Sequence, residues 1–388
     1  MSHQIVGNHA SSIYVRDIWN IIVDYLEQDY LVLVYLYVSC KFFEFIRIRK
    51  LKINLIWDGN GYKKYLPSEC KILNNMKELE VENISHVNNL TNLTKLICID
   101  DYHLDKINLT RLKVLHIEHT TNISDLTNLE ELNCRFNKYI NISTLTNLKR
   151  LSTQKLNARN ISKLTNLEML DCRYNEKISQ LIGMYSNLKI LISNYIISVD
   201  KFVNLRSLDI HKNYNIKRLE LTNLEVLCSE HITYVDNLVN LKKLDILNNM
   251  YIKTVNISDL ESLASNYITY VNNLTNLKNI VCTNNFNITS LDLPNLEVVW
   301  SNYITCVDNL TNLRELDILN NKHLTKLYYL HKLTELRSYY IQYVNNLTNL
   351  IYLSYDSYVL KETISLPYLT NSLDMNHYPG FKIEYIKN

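Results

Sequence analysis

Residues 303–322 read YITCVDNLTNLRELDILNNK, residues 267–286 read YITYVNNLTNLKNIVCTNNF, and residues 231–250 read HITYVDNLVNLKKLDILNNM. The three stretches begin at equally spaced positions, so one pattern returns at a fixed interval. A regular recurrence of this kind is typical of a repeat architecture, in which each repeat contacts only its neighbours. The repetition therefore predicts a continuous core that is built one layer at a time.

A leucine at the start of each repeat sets the frame. In the second half of the array a long step between these leucines alternates with a short one, whereas the rhythm breaks between Leu129 and Leu188. The pattern divides the chain into a helical module (1–50), a linker and N-terminal cap (51–75), a repeat array (76–355) and a C-terminal cap or tail (356–388). The leucines of the regular part are Leu205, Leu224, Leu241, Leu260, Leu277, Leu296, Leu313, Leu333 and Leu350.

The long repeat is represented by residues 241–260, LKKLDILNNMYIKTVNISDL. Leu244 and Ile246 at its fourth and sixth positions have the period of two that predicts a short strand with alternate side chains inward. Asn249 at the ninth position can turn inward and bond to backbone groups that the bend leaves unpaired. Equivalent asparagines are Asn137, Asn175, Asn213, Asn285 and Asn321.

The short repeat is represented by residues 260–276, LESLASNYITYVNNLTN, and has no asparagine at the ninth position. Ser265 follows its strand, and Ile268, Val271 and Leu274 then recur at every third position. A step of three favours a tight 3₁₀-like return over a regular α-helix.

The recurring LxxLxLxxN pattern with its LTNL segments resembles the leucine-rich repeat family, and most closely its compact internalin-type members. The resemblance covers the whole array, which is most of the chain. It implies an α/β leucine-rich-repeat solenoid of short parallel strands with 3₁₀ or irregular returns, preceded by the small helical module. The repeats are short for the family, and alternate repeats lack the asparagine.

The N-terminal stretch 14–43 carries apolar residues at helical spacing, interrupted near residues 27–29. One interpretation is a helical cap that shields the open end of the array. The stretch also resembles an F-box, the module that docks onto the Skp-type adaptor of a cullin ubiquitin ligase, although Val15 replaces the usual proline. That resemblance implies adaptor-binding side chains at Val15, Ile18, Trp19, Ile22 and Leu26. Chains of this layout are similar to F-box proteins of giant DNA viruses of amoebae.

The net charge, the cysteines and the first residues restrict the partners and the compartment that we expect for this chain. Lysine and arginine total 41 against 39 acidic residues, so the whole chain has a charge of +2 and no overall attraction to nucleic acid or an anionic membrane. Eight cysteines are scattered without metal-ligand spacing, which predicts buried thiols in a reducing, cytoplasmic compartment. The first residues lack the pattern of a signal peptide, and the apolar stretch that follows is interrupted by acids.

Motifs for catalysis are missing from the sequence. Five glycines leave no phosphate-binding loop of the usual kind, and no GxSxG or HExxH motif occurs. The pair His116 and His119 flanks Glu118, but exposed strand histidines are far more common than metal ligands of this spacing. We therefore expect no enzymatic activity, no cofactor and no metal.

A regular alternation of charge occupies the second position of successive repeats. Lysine or arginine alternates there with glutamate, with one slip at Lys189 and Arg206. Neighbouring strands lie about 4.8 Å apart, so opposite charges would face each other across them. The series runs Lys113, Glu130, Lys149, Glu168, Lys189, Arg206, Glu225, Lys242, Glu261, Lys278, Glu297 and Arg314.

Together these features predict a non-enzymatic adaptor, a monomer outside its complex, that joins a Skp-type adaptor to a target protein. The alternative is a stand-alone scaffold whose N-terminal helices only cap the array. Large outward side chains late in the array predict a target-binding surface, because such groups dominate interface energetics. They are Val298, Trp300, Leu319, Arg337, Tyr339 and Tyr352. The C-terminal tail could instead fold back over these groups.

Overall fold

The computed structural model describes residues 50–53, 77–82, 87–355 with short gaps at 89, 100–103, 105, 120–121, 138–139 and 346, and residues 368 and 371–374. The chain divides into two compact halves, Met1–Leu188 and Lys189–Asn388. Each half is a stack of short parallel strands, with one strand of the main ladder in each repeat.

In the N-terminal half, successive strands from β1 to β7 pair in parallel. The strands are β1 (Lys50–Ile53), β2 (Glu78–Glu82), β3 (Lys95–Ile99), β4 (Val114–His116), β5 (Glu131–Asn133), β6 (Arg150–Ser152) and β7 (Met169–Asp171). The register is regular, with Leu115 opposite Leu132 and Leu132 opposite Leu151.

The C-terminal half continues the same pattern in a second ladder. Its strands are β8 (Ile190–Ile192), β9 (Ser207–Ile210), β10 (Val226–Ser229), β11 (Lys243–Asp245), β12 (Ser262–Ala264), β13 (Asn279–Val281), β14 (Val298–Trp300), β15 (Glu315–Asp317), β17 (Glu335–Ser338), β19 (Tyr352–Tyr355) and β20 (Asn371–Asp374). Two further strands, β16 (Lys326–Tyr328) and β18 (Tyr343–Asn345), pair separately on the return side of their repeats.

The core of each half is a column of aliphatic side chains, as the sequence predicts. In the repeat at Leu241, the side chains of Leu244, Ile246, Ile252 and Val255 are all buried. Of the outward residues on the same strand, Lys243 is exposed and Asp245 is half-buried. Because so short a strand buries little by itself, the stability of each layer comes from the layers on either side.

The returns are built from single 3₁₀-type turns, which confirms the three-residue step. In the short repeat, the Leu274 amide donates to the Val271 carbonyl at 2.9 Å, and the Leu277 amide donates to Leu274 at 2.9 Å. Each turn therefore buries one aliphatic side chain and starts the next turn, without a regular helix.

The inward asparagine connects each long repeat to the short repeat before it. Asn249 is fully buried, and its Nδ2 donates to the Ile232 carbonyl at 2.8 Å. Its Oδ1 accepts from the amides of Tyr251 and Ile252 at 2.9 and 3.1 Å. Asn213, Asn285 and Asn321 make the same link to the short repeat that precedes each of them.

In the short repeat a serine accepts the hydrogen bonds from two backbone amides that the asparagine accepts in the long repeat. Buried Ser265 accepts at Oγ from the amides of Tyr267 and Ile268 at 3.3 and 3.2 Å. The Ile268 carbonyl is satisfied by Asn285 of the next repeat. One asparagine and one serine thus satisfy the bends of two repeats, which explains the alternation of length and sequence.

A second asparagine bond explains the Asn of the LTNL segments and of the related LVNL at 238–241. Asn240, Asn276 and Asn312 each donate from Nδ2 to a carbonyl of the preceding repeat, at 2.8, 3.0 and 2.8 Å. These residues are exposed or half-buried, so the bonds form a surface ladder at the starts of the strands.

Helix is scarce in the described residues, where the single helix is the short α1 (Ala158–Ile161). Asn157 and Asn160 form a reciprocal capping box at its start. The helix lies in the irregular stretch between Leu129 and Leu188. The solenoid class is therefore confirmed, with its array formed almost wholly of strands and turns. The predicted helical module 1–50 lies almost entirely outside the described residues.

The proposed boundary at residue 356 falls next to a gap in the described chain, which covers 356–367. Beyond that gap, β20 pairs in parallel with β19, with Tyr352 opposite Asn371 and Tyr355 opposite Asp374. The tail segment 371–374 therefore adds one strand to the ladder.

Candidate protein-binding surface

The outward face of β14, β15, β17 and β19 brings most of the predicted target-binding residues together. The strand register aligns two rows across this face. One row contains Val298, Glu315, Glu335 and Tyr352, and the next contains Trp300, Asp317, Arg337 and Ser354, of which Ser354 is buried. We call these eight residues the strand-face patch.

Trp300 is half-buried and held in place by a neighbouring strand. Its indole Nε1 donates to Glu315 Oε1 at 2.8 Å. The repeat predicts an exposed ring at this position, and the structure differs because the glutamate on β15 ties down the edge of the ring. A tryptophan fixed in this way presents its apolar face without a large loss of side-chain entropy on binding.

Arg337 joins the patch to its acidic neighbours. Its guanidinium lies 3.6 Å from an Asp317 carboxylate oxygen and 3.7 Å from one of Glu335. The same guanidinium lies 5.6 Å from the centre of the Tyr352 ring, within the range of a cation–π contact. The Arg337 guanidinium, the Tyr352 ring and the carboxylates of Asp317 and Glu335 therefore form one connected group on the sheet surface.

Leu319 and Tyr339 lie just past the ends of β15 and β17. The Tyr339 amide donates to the Leu319 carbonyl at 3.2 Å, so the two residues are neighbours. Both side chains are half-buried. All six predicted residues thus lie on the same region of the C-terminal half.

The carboxylates of the patch were missed from the sequence. Glu315 and Glu335 occupy the third position of their repeats, as Val298 does, and Asp317 occupies the fifth position, as Trp300 and Arg337 do. The repeat frame contained that signal, because it assigns every third and fifth position to the outward face. The surface therefore carries three carboxylates beside the apolar residues and the arginine that the sequence predicted.

The remaining predicted site residues cannot be placed. Val15, Ile18, Trp19, Ile22 and Leu26 lie outside the described residues. Their role in binding an adaptor stays a prediction. The same holds for coverage of the strand-face patch by the tail, because residues 356–367 and 375–388 are outside the described part.

The charge alternation forms real ion pairs at the edge where the strands begin, here called the strand-start edge. Glu130 lies 3.0 Å from Lys113 and 2.9 Å from Lys149, one on each side. These two bonds, the one from Lys149 first, lower the pKa of the Glu130 carboxyl to about 2. In the C-terminal half, Glu261 pairs with Lys278 at 2.9 Å.

One histidine and two cysteines of the described residues are paired or buried. His116 Nε2 lies 3.0 Å from Glu131 Oε1 on the next strand. Burial raises the pKa of the Cys134 thiol to about 12 and that of Cys282 to about 11, so both stay protonated. Across the described residues, no group of three or more histidine, cysteine or acidic side chains could hold a metal ion.

No protein-family model matches this chain, and no match was found among curated proteins. Its backbone is similar to solved structures of repeat proteins. One is the functional domain of InlJ from Listeria monocytogenes, with 22% identity over 73% of this chain and 74% of that one, and a TM-score of 0.48.

A leucine-rich-repeat protein of Leptospira interrogans is similar at 20% identity, over 80% of this chain and 90% of that one, with a TM-score of 0.48. YopM from Yersinia enterocolitica is similar at 17% identity, over 85% and 82% of the two chains, with a TM-score of 0.46. The leucine-rich-repeat fold of the present chain follows from its own strand register and buried leucines.

A search of the described residues for membrane spans finds no helix with the length and apolar character needed to cross a bilayer.

Proposed function

We propose that this chain is a non-enzymatic protein-interaction adaptor that binds a target protein on the strand-face patch. The observation that carries the proposal is the group of Trp300 on β14, Arg337 on β17 and Tyr352 on β19, with the carboxylates of β15 bonded to the first two. Tryptophan, arginine and tyrosine contribute most to binding when they become buried at an interface.

The geometry favours a partner that brings both apolar and charged groups. Trp300 and Val298 offer apolar area, while Glu315, Asp317 and Glu335 offer acceptors beside a single arginine. A partner surface with an apolar residue next to lysine or arginine would complement this arrangement. Because the strands hold these side chains before binding, little ordering would be needed in the complex.

The finer proposal is that the chain is the substrate receptor of a cullin-type ubiquitin ligase in the cytoplasm, in an infected host cell if the chain is viral. The N-terminal residues Ile18, Trp19, Ile22 and Leu26 would hold a Skp-type adaptor. Ligation would then be promoted by proximity, because the receptor raises the local concentration of target near the ubiquitin carrier. The alternative remains a stand-alone scaffold whose N-terminal helices cap the array.

A binding experiment with a purified Skp-type adaptor separates these two roles. A receptor should co-elute with the adaptor in size-exclusion chromatography, and Ile18→Asp should abolish the complex without changing the circular dichroism of the array. Absence of a complex with the unaltered chain would leave the scaffold role.

The target surface is tested by comparing Trp300→Ala with Phe136→Ala. Phe136 is an exposed aromatic residue of the N-terminal half, 52% accessible, so it controls for loss of an aromatic side chain. A cross-linked partner recovered with the unaltered chain and with Phe136→Ala should be lost with Trp300→Ala. Equal recovery with both variants would remove the patch as the target site.

A further inference from the structure

The edge of the C-terminal half where the strands end has an unusual composition. We call it the turn edge, and it consists of the eight segments 212–218, 231–234, 248–254, 267–270, 284–290, 303–306, 320–326 and 340–343. None of these 44 positions is acidic, whereas an even spread of the chain's 39 acidic residues would put about four there. Six are basic, namely Lys212, Lys217, Arg218, Lys253, Lys322 and Lys326.

The basic residues of the turn edge are not neutralised by carboxylates. None of them takes part in an ion pair within the described residues. The carboxylate of Glu230, just before the segment 231–234, lies 3.2 Å from His211 and accepts from Asn248 of the turn edge at 3.1 Å. At the strand-start edge, in contrast, lysines such as Lys278 pair with glutamate. The balanced charge of the whole chain therefore conceals a local excess of basic residues at the turn edge.

Aromatic rings share the turn edge with these lysines. Tyr214, Tyr251, Tyr270 and Phe286 are between 51% and 69% exposed. The Tyr214 ring stacks on His231 with 4.2 Å between ring centres, and His231 lies 6.4 Å from the Tyr251 ring. Burial, followed by the charge of Lys217, lowers the pKa of His231, so this ring is neutral at pH 7.

The lysine ammonium groups lie against the rings. Lys217 Nζ is 5.5 Å from the centre of the Tyr251 ring, and Lys253 Nζ is 5.0 Å from that of Tyr267. Lys322 makes the same contact with Tyr340 at 5.6 Å. Planar rings and cations therefore alternate along the stack, with a new repeat about every 4.8 Å.

We propose that the turn edge binds single-stranded nucleic acid, with bases stacked on the exposed rings and phosphates beside the lysines. Rings interleaved with cations along a groove or ridge are the means by which proteins hold unpaired strands without reading sequence. A duplex fits poorly, because its bases are already stacked on one another. This site is separate from the strand-face patch and does not rest on the adaptor role.

The test uses the purified full chain and fluorescein-labelled oligouridine and oligothymidine of about 20 nucleotides, which distinguish RNA from DNA. Fluorescence anisotropy should show binding of one or both single strands and weaker binding of a duplex of equal length. Affinity should fall as salt rises from about 50 to 200 mM. A plot of the logarithm of the binding constant against the logarithm of the salt concentration should have a slope of about −0.7 for each phosphate contacted.

Two double variants probe the two chemistries. Lys217→Glu with Lys253→Glu should weaken binding about tenfold or more and flatten the salt dependence, because phosphate contacts are lost. Tyr251→Ala with Phe286→Ala should also weaken binding by about tenfold, with the salt slope preserved, because stacking is lost. All four side chains are exposed, so the fold should be retained, as circular dichroism would check.

The matched control is Lys243→Glu with Lys332→Glu, which makes the same change in net charge at exposed sites away from the turn edge. It should weaken binding much less. The proposal fails if single strands do not bind at about 100 µM protein. It also fails if the control is as damaging as the turn-edge variants, if the duplex binds equally well, or if a polyglutamate peptide competes as effectively as oligothymidine.

Discussion

The two edges of the sheet in the C-terminal half are stabilised in opposite ways. At the strand-start edge, exposed lysines and glutamates such as Lys278 and Glu261 alternate and pair. At the turn edge, buried Asn249 and Ser265 hold the bends from inside, and the surface above them carries lysines and rings without acids. Because buried side chains hold the bends of the turn edge, its surface lysines and aromatic rings are available to a partner.

The largest effect is expected when the buried asparagine that holds a bend at the turn edge is removed. Asn249→Ala should lower the free energy of unfolding by about 3 kcal/mol, because the Ile232 carbonyl and two backbone amides lose their buried partner. Urea unfolding would measure the change. Asn248→Ala is the control, since Asn248 is exposed and should cost about 0.5 kcal/mol or less. Similar losses at the two positions would show that the ninth-position amide has no special role.

The serine of the short repeat should matter less than the asparagine. Ser265→Ala removes one acceptor from the amides of Tyr267 and Ile268 and should cost about 1 kcal/mol in urea unfolding. Ser265→Thr should be close to neutral, because Thr153 performs the same task in the N-terminal half, accepting from Leu156 at 3.3 Å. A threonine as harmful as alanine would contradict the hydrogen-bond explanation.

At the strand-start edge a charge reversal should have a still smaller effect. Glu261→Lys places a third cation between Lys242 and Lys278 and breaks the bond to Lys278. We expect a thermal shift smaller than that of Ser265→Ala, and one that shrinks in about 1 M salt, where charges are screened within about 3 Å. A large loss that salt does not change would mean that the second position is buried.

The smallest expected effect on stability comes from the ion pairs of a single carboxyl in the N-terminal half, that of Glu130. The hydrogen bonds from Lys149 and Lys113 hold the pKa of Glu130 at about 2, against 4.5 without them. Because the pKa is lowered on folding, the stabilisation is present above pH 4.5 and is lost as the pH falls towards 2. NMR titration would measure this pKa. Replacing both lysines with glutamine should return it towards 4.5, and an unchanged value would exclude the ladder as its cause.

Much of the repeat could be predicted because its signals are local and recur. The inward positions of Leu244 and Ile246, the buried Asn249 and the turn at Leu274 all follow from spacing within one repeat. The strand-face patch was predicted only in part. Trp300 and Arg337 stood out as large residues, but their bonds to Glu315 and Asp317 join different repeats.

The sequence alone determined the period, the alternation of long and short repeats and the side chains that point inward, because each of these depends on spacing within one repeat or between adjacent ones. The tertiary structure decided which outward residues face each other. Lys217 meets the Tyr251 ring of the next long repeat, and Trp300 meets Glu315 of the repeat that follows its own. Such pairs depend on the register between stacked repeats, and that register is fixed by burial of the leucines of each layer against the next.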